Sequence, residues 1–158
     1  LAMHALLVVD LQREFVKDAA GKERYRKSLD YIEKNRNKYD CVIAFVYRND
    51  GNPNMKRLVG WDDVSKPMEL EFKPDRTYFH SGYSVHKHLI ISESDTVDVL
   101  GFDTDACVLA ACFELFDLKC NFRILSDLCW SSGGEAMHTC GLNVMGRQFG
   151  RALMESNV

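Results

Sequence analysis

Proline is scarce, three in 158 residues, and no Gly-, Ser- or Pro-rich tract interrupts the chain, which excludes a disordered or low-complexity segment for most of its length. No apolar run approaches the roughly 20 residues that a membrane-spanning helix needs. Neither sign of charge dominates: 20 basic and 23 acidic residues leave a net charge of −3, and no basic block suggests a nucleic-acid surface or an acidic membrane. The opening LAMHALLVV carries no basic leader and no cleavage site, so the expected address is cytoplasmic. Among the six cysteines there is no CxxC pair and no Cys/His set at zinc-finger spacing, so a structural zinc site is not expected. Long apolar periodic segments also argue against a secreted disulfide framework, and the thiols read as reduced. With 46% hydrophobic and 27% charged residues, what remains is one globular domain over residues 1–158, with small molecules as the expected partners.

Residues 5–9 (ALLVV) form a short apolar run that ends in Asp10, the pattern of a strand buried on both faces. Residues 22–38 place Tyr25, Leu29, Ile32 and Arg36 near helical period among Lys, Arg and Glu, which predicts an amphipathic helix. CVIAFVY at 41–47 is a second buried strand, and the strand–helix–strand unit favours a parallel, right-handed crossover. Between 48 and 69 all period is lost, and a loop this long is usually functional. Further on, 70–72 reads as a short strand, 78–84 as an aromatic-rich turn around Gly82, and 85–92 as a helix. Strands are then predicted at 96–100 and 122–126, an apolar helix at 104–118, and a last helix at 135–149. The alternation gives an α/β three-layer fold with a mostly parallel sheet.

Ligands of such sheets bind beyond the carboxyl ends of the strands. Asp10 falls there, as does the turn Gly101 to Cys107. GFDTDACVLAACFELF sets Cys107 in a first helical turn, where free N–H groups and the positive end of the dipole are expected to lower a thiol's pKa. Cys107 is therefore expected to be the thiol that iodoacetamide labels first near neutral pH, the other five being packing or surface thiols. A nucleophilic cysteine needs a base and oxyanion donors. The five histidines do not fall at strand ends in this reading, and Asp10 serves as the base, with the N–H groups of Ala106 and Cys107 as donors. A dinucleotide- or flavin-binding reading is weak, because the first strand is followed by DLQREF and no glycine-rich phosphate cradle.

LLVVDLQREF, with Asp10, Gln12 and Phe15, and VLGFDTDACVLAACFELFDLKCNFRILSDLCWSSGG, with Gly101, Thr104, Cys107, Val108, Asp127 and Ser131, resemble the isochorismatase-like cysteine hydrolase family, which includes nicotinamidase-type amidases. The resemblance implies a six-stranded parallel sheet and an Asp–Lys–Cys triad that cleaves an amide or a vinyl ether. Cys107 would be the nucleophile that forms a thioester and Asp10 the general base. It further implies a cis peptide near Asp105, Ala106 and Cys107, and protomers paired into a homo-oligomer.

Two departures from the family pattern stand out. EFKPDRTYFHSGYS offers Lys73 and Arg76 for the triad cation without an unambiguous match, and His80 is a third candidate. Arg76 could stabilise a thiolate by charge but could not shuttle a proton. The aspartate–x–histidine element that holds zinc in nicotinamidase-like members is also missing from YRNDGNPN at 47–54, so no metal or other cofactor is expected. The expected function is a metal-independent amidase whose pocket draws on Phe15, Trp61, Tyr78, Phe79 and Trp130. The alternative is a non-catalytic relative that keeps the fold for binding or assembly.

Overall fold

Six short stretches rich in β-branched and aromatic residues line up in parallel. The computed structural model describes residues 2–61, 69–83 and 89–154. In chain order the elements are β1 (His4–Val9), α1 (Ala19–Asn35), β2 (Cys41–Tyr47), β3 (Arg76–His80), β4 (Thr96–Phe102), α2 (Cys107–Asp117), β5 (Asn121–Trp130), α3 (Glu135–Phe149) and β6 (Leu153–Met154). The sheet order is β3-β2-β1-β4-β5-β6 with every pairing parallel. The order reverses direction between β1 and β4, so a crevice opens at their carboxyl ends.

Alternation along β1 divides the core in two. Ala5, Leu7 and Val9 point to the face covered by α2 and α3, where they meet Val108, Ala111, Cys112, Leu115 and Met145. Leu6 and Val8 point to the opposite face, among Tyr25, Tyr31 and Ile32 of α1. Such period-two alternation with both faces covered is what a central parallel strand requires. The helix α2 buries one side and exposes Phe113 and Phe116 on the other. Among the described residues no helix is long and apolar enough to cross a membrane.

Several details of the fold fix the carboxyl edge of the sheet. Asp18 caps α1 by accepting from the Gly21 N–H at 2.7 Å, and accepts at 3.0 Å from the indole N–H of Trp130. This anchors the start of α1 to the end of β5. Gln12 bonds both the N–H and the carbonyl of Tyr47, at 2.9 and 3.1 Å, and so carries the pairing of the first two strands past Asp10. His138 is buried beneath Trp130 and pairs with the Thr104 hydroxyl at 2.6 Å, holding α3 against the turn that precedes α2. Burial pushes its ring down to about 4.

The structure revises several predicted elements. Residues 70–72 form a bend, not a strand, and the predicted turn at 78–84 is in part β3, which runs through His80. Of the predicted helix at 85–92, residues 85–88 lie outside the described residues and 89–92 are not helical. The strands β4 and β5 run past their predicted ends, and the two-residue β6 carries too short a pattern to be seen in the sequence.

Gly101 is the tightest point of the sheet: at φ +135°, a Cβ there would lie 2.0 Å from the Val9 carbonyl oxygen. Gly101→Ala is therefore expected to destabilise the fold by about 3 kcal/mol or more, read as a lower denaturant midpoint at unchanged slope. The buried, neutral His138 gives a second expectation. Its folded pKa is depressed below the unfolded 6.5, so its contribution is present above 6.5 and is lost as pH falls toward 4. Unfolding measured across that window is expected to show a stability decline that His138→Phe diminishes.

Candidate active site

Two strand ends and a helix start converge at the carboxyl edge. Asp10 follows β1 with φ 46°, its N–H bonded to the Phe45 carbonyl at 2.9 Å, and its side chain is wholly buried. His80 ends β3, in register with Tyr47 at the end of β2. Cys107 opens α2. One donor atom each from Asp10, His80 and Cys107 lie within 4.8 Å of one another, the one such His/Cys/acid group among the described residues.

The protonation state of His80 follows from its neighbours. Nε2 lies 2.6 Å from Asp10 Oδ1 and Nδ1 lies 3.0 Å from the Gly82 carbonyl oxygen. Both partners are acceptors, and a ring that satisfies both must carry two protons. Burial acts against the charged ring, but the hydrogen bond and charge of Asp10, aided by the Gly82 carbonyl, outweigh it and raise the His80 pKa above 6.5. The three donors lie close enough to ligate a soft divalent ion, while Nε2 and Oδ1 meet directly as a hydrogen-bonded pair at 2.6 Å.

The thiol runs against expectation. Instead of being lowered by the helix start, the Cys107 pKa is raised well above its ordinary value of 9.0. Burial is the largest cause, followed by Asp10 and then the carboxylates of Asp103 and Asp105. A half-charge at a helix end does not offset three acidic neighbours and 7% exposure. Asp10 Oδ2 is buried with no N or O hydrogen-bond partner among the described residues, and the Cys107 thiol is hydrogen-bonded to the Asp10 carboxylate.

Lys73 and Arg76 are not brought to this cluster. Both are exposed, and Arg76 opens β3 opposite Ile43, roughly 13 Å along the strand from His80. His80 is the cation the fold supplies, contrary to the expectation that no histidine stands at a strand end. RTYFH is a run of β-branched and aromatic residues, and reading it as a strand would have exposed His80 at its end. His86 and His88 lie outside the described residues. The cis peptide lies between Phe102 and Asp103, upstream of the expected Asp105–Cys107 stretch. Of the two expected oxyanion donors, the Ala106 N–H is already bonded to the Asp103 carbonyl at 3.1 Å.

A cavity of about 290 Å³ opens onto Cys107, walled by Phe15, Tyr47, Met55, Trp61 and Tyr83, with Asp103, Ala106 and Ser132 beside the sulfur. Phe15 and Trp61 were expected there. The others are placed elsewhere: Trp130 packs against His138 at 4.6 Å between ring centroids, Tyr78 packs edge-on against Phe45, and Phe79 is exposed beneath the Arg48 guanidinium. Tyr47 and Met55 escaped notice because one ends a strand that reads as pure core and the other lies in the aperiodic loop, in a π-helical turn over Met55–Val59.

A parallel sheet with this strand order and a buried Asp–His–Cys cluster at its carboxyl edge define a doubly wound α/β protein. The model of the Isochorismatase domain matches residues 4–157, and the chain belongs to that family. Its fold is similar to that of N-carbamoylsarcosine amidase from Thermoplasma acidophilum, at TM-score 0.77 and 18% identity over 99% of this chain and 98% of that one. Nicotinamidase/pyrazinamidase of Bacillus subtilis is similar at TM-score 0.75 and 14% identity, covering 97% and 100%. An isochorismatase-like hydrolase from Alkaliphilus metalliredigens gives TM-score 0.72 and 20% identity over 98% and 95%. No curated protein sequence matches the chain.

All six cysteines are free and five are buried, while Cys140 is exposed. Stoichiometric iodoacetamide at neutral pH, followed by peptide mass spectrometry, is therefore expected to label Cys140 before Cys107. The His80 ring is expected to titrate above 6.5 by NMR, and its pairing stabilises the fold fully below 6.5 and progressively less as pH rises through the folded value.

Proposed function

We propose that the chain hydrolyses small amide-type substrates through Cys107, with Asp10 as the proton acceptor and His80 as the cation that pairs with Asp10 and holds it in place. The observation that carries this reading is the 2.6 Å His80–Asp10 contact beside a buried thiol at the floor of an apolar cavity. Membership of the Isochorismatase domain family and the similarity to amidases support it.

In this mechanism the resting thiol stays protonated until substrate arrives. Asp10 takes the proton as Sγ bonds to the carbonyl carbon, and the Cys107 N–H at the head of α2 faces the developing oxyanion. As the C–N bond breaks, Asp10 returns the proton to the leaving nitrogen. Water then adds to the thioester with Asp10 again as base, the C–S bond breaks, and the carboxylic acid leaves with the thiol restored. His80 neither gains nor loses a proton in this cycle. Its charge offsets the negative charges that gather at this edge, and its hydrogen bond fixes the Asp10 carboxylate beside the sulfur.

A second reading, a binding protein without turnover, is favoured by the direction of the thiol's shift, since a cysteine held protonated is a poor nucleophile at rest. A panel of small primary amides assayed by ammonia release separates the two. Turnover is expected in the wild type, to fall by about 10²–10⁴ in Asp10→Asn, and to vanish in Cys107→Ala. Wild-type rate should decline as pH rises through the His80 pKa, and His80→Lys should carry activity to higher pH. Activity that persists in Cys107→Ala would overturn the mechanism.

A further inference from the structure

Asp103 plays no part in that mechanism, yet it lines the cavity four residues ahead of the sulfur. Its carboxylate is rigidly held: Oδ1 accepts from the Ser132 N–H at 2.9 Å and Oδ2 from the Ser132 hydroxyl at 2.5 Å. A carboxylate oxygen can accept more than one hydrogen bond, so each retains capacity toward the cavity. Opposite stand aromatic faces, with Tyr47 and Trp61 stacked at 5.2 Å and Phe15 tilted against Trp61 at 5.3 Å. Aromatic faces and a fixed carboxylate around one small volume are the chemistry that recognises an organic cation.

The surrounding charges point the same way. Asp10 and Asp105 add negative potential at the floor, and His80 is already paired with Asp10. Among the described residues the cation on the cavity wall is Lys17, which is exposed and solvent-screened. An anionic substrate would meet a negative floor.

We propose that Asp103 makes this cavity selective for amides that carry an ammonium, amidinium or guanidinium group close to the scissile carbonyl. The inference rests on the reading of the cavity as an amide-hydrolase site and adds the substrate's charge class. Burial pushes the Asp103 carboxyl up to about 6, so at pH 8 it is ionised and available to such a group.

The test is binding at pH 8 to the Cys107→Ala protein, with benzamidinium, benzamide and benzoate compared by titration calorimetry. Benzamidinium is expected to bind roughly tenfold or more tighter than benzamide, with benzoate weakest. Asp103→Asn in the same background should erase the preference, and Lys17→Ala should leave it intact. Equal binding of benzamidinium and benzamide, a preference for benzoate, a preference that survives Asp103→Asn, or no binding of any probe would overturn the proposal. Should Asp103→Asn fail to fold by circular dichroism, the ranking of the three probes on the Cys107→Ala protein decides alone. That protein cannot form a thioester, so the ranking is independent of turnover. An intact ranking with no amide hydrolysed by the wild type would overturn the hydrolase reading and leave the charge selectivity standing.

Discussion

A carboxylate withdrawn from water must find a counter-charge or give up its own, and this constraint organises the carboxyl edge of the sheet. Asp10 is wholly buried at the end of the central strand. Its answer is His80, carried on the edge strand and reaching over the end of β2. The contact joins the first strand to the third without a shared ladder, and it turns a sheet edge into a site. Removing either partner from such a pair leaves a buried group uncompensated, a loss of about 3–5 kcal/mol.

The pair also sets the chemistry open to Cys107. Beside a lysine, a thiol would share a flexible, high-pKa point charge; beside His80 it faces a rigid ring with both protons committed to Asp10 and Gly82. Two more carboxylates, Asp103 and Asp105, crowd the same turn. The result is a sulfur that keeps its proton at rest, with an acceptor beside it. In the mechanism proposed above, thiolate character arises during attack on the substrate, when Asp10 receives the proton, and does not pre-exist as it does at an electropositive helix start.

The turn that bears Cys107 is held from three directions. Gly101 lets β4 approach the Val9 carbonyl, Thr104 is tied to Trp130 and His138, and Asp105 receives the Ser131 hydroxyl at 2.6 Å. Gly141 of α3 lies so close to the turn that a Cβ there would come within 2.9 Å of the Thr104 backbone. The chain from β4 onward thus acts as a clamp on the thiol-bearing turn, while the chain up to the end of β3 supplies the charge pair and most of the aromatic wall.

Much of this was legible in local pattern. Apolar runs at 5–9 and 41–47 are strands because residues buried on both faces leave no polar position, and 135–149 is a helix because its apolar residues fall near one face. Asp10 and Cys107 could be singled out from the residues around them, because each stands beside a local pattern that ends a strand or begins a helix. The cation was harder to read, since Lys73, Arg76 and His80 lie within eight residues, Lys73 ahead of β3 and the other two at its opposite ends. The thiol's raised pKa could not be read this way, because it depends on carboxylates and burial that meet only in three dimensions. What the sequence by itself determined was the three long helices, the four central strands β2, β1, β4 and β5, and two of the three groups at the sheet's edge. Only the tertiary structure decided the third, because charge pairing acts through space and the register between β2 and β3 chose which residue of a short segment reached Asp10.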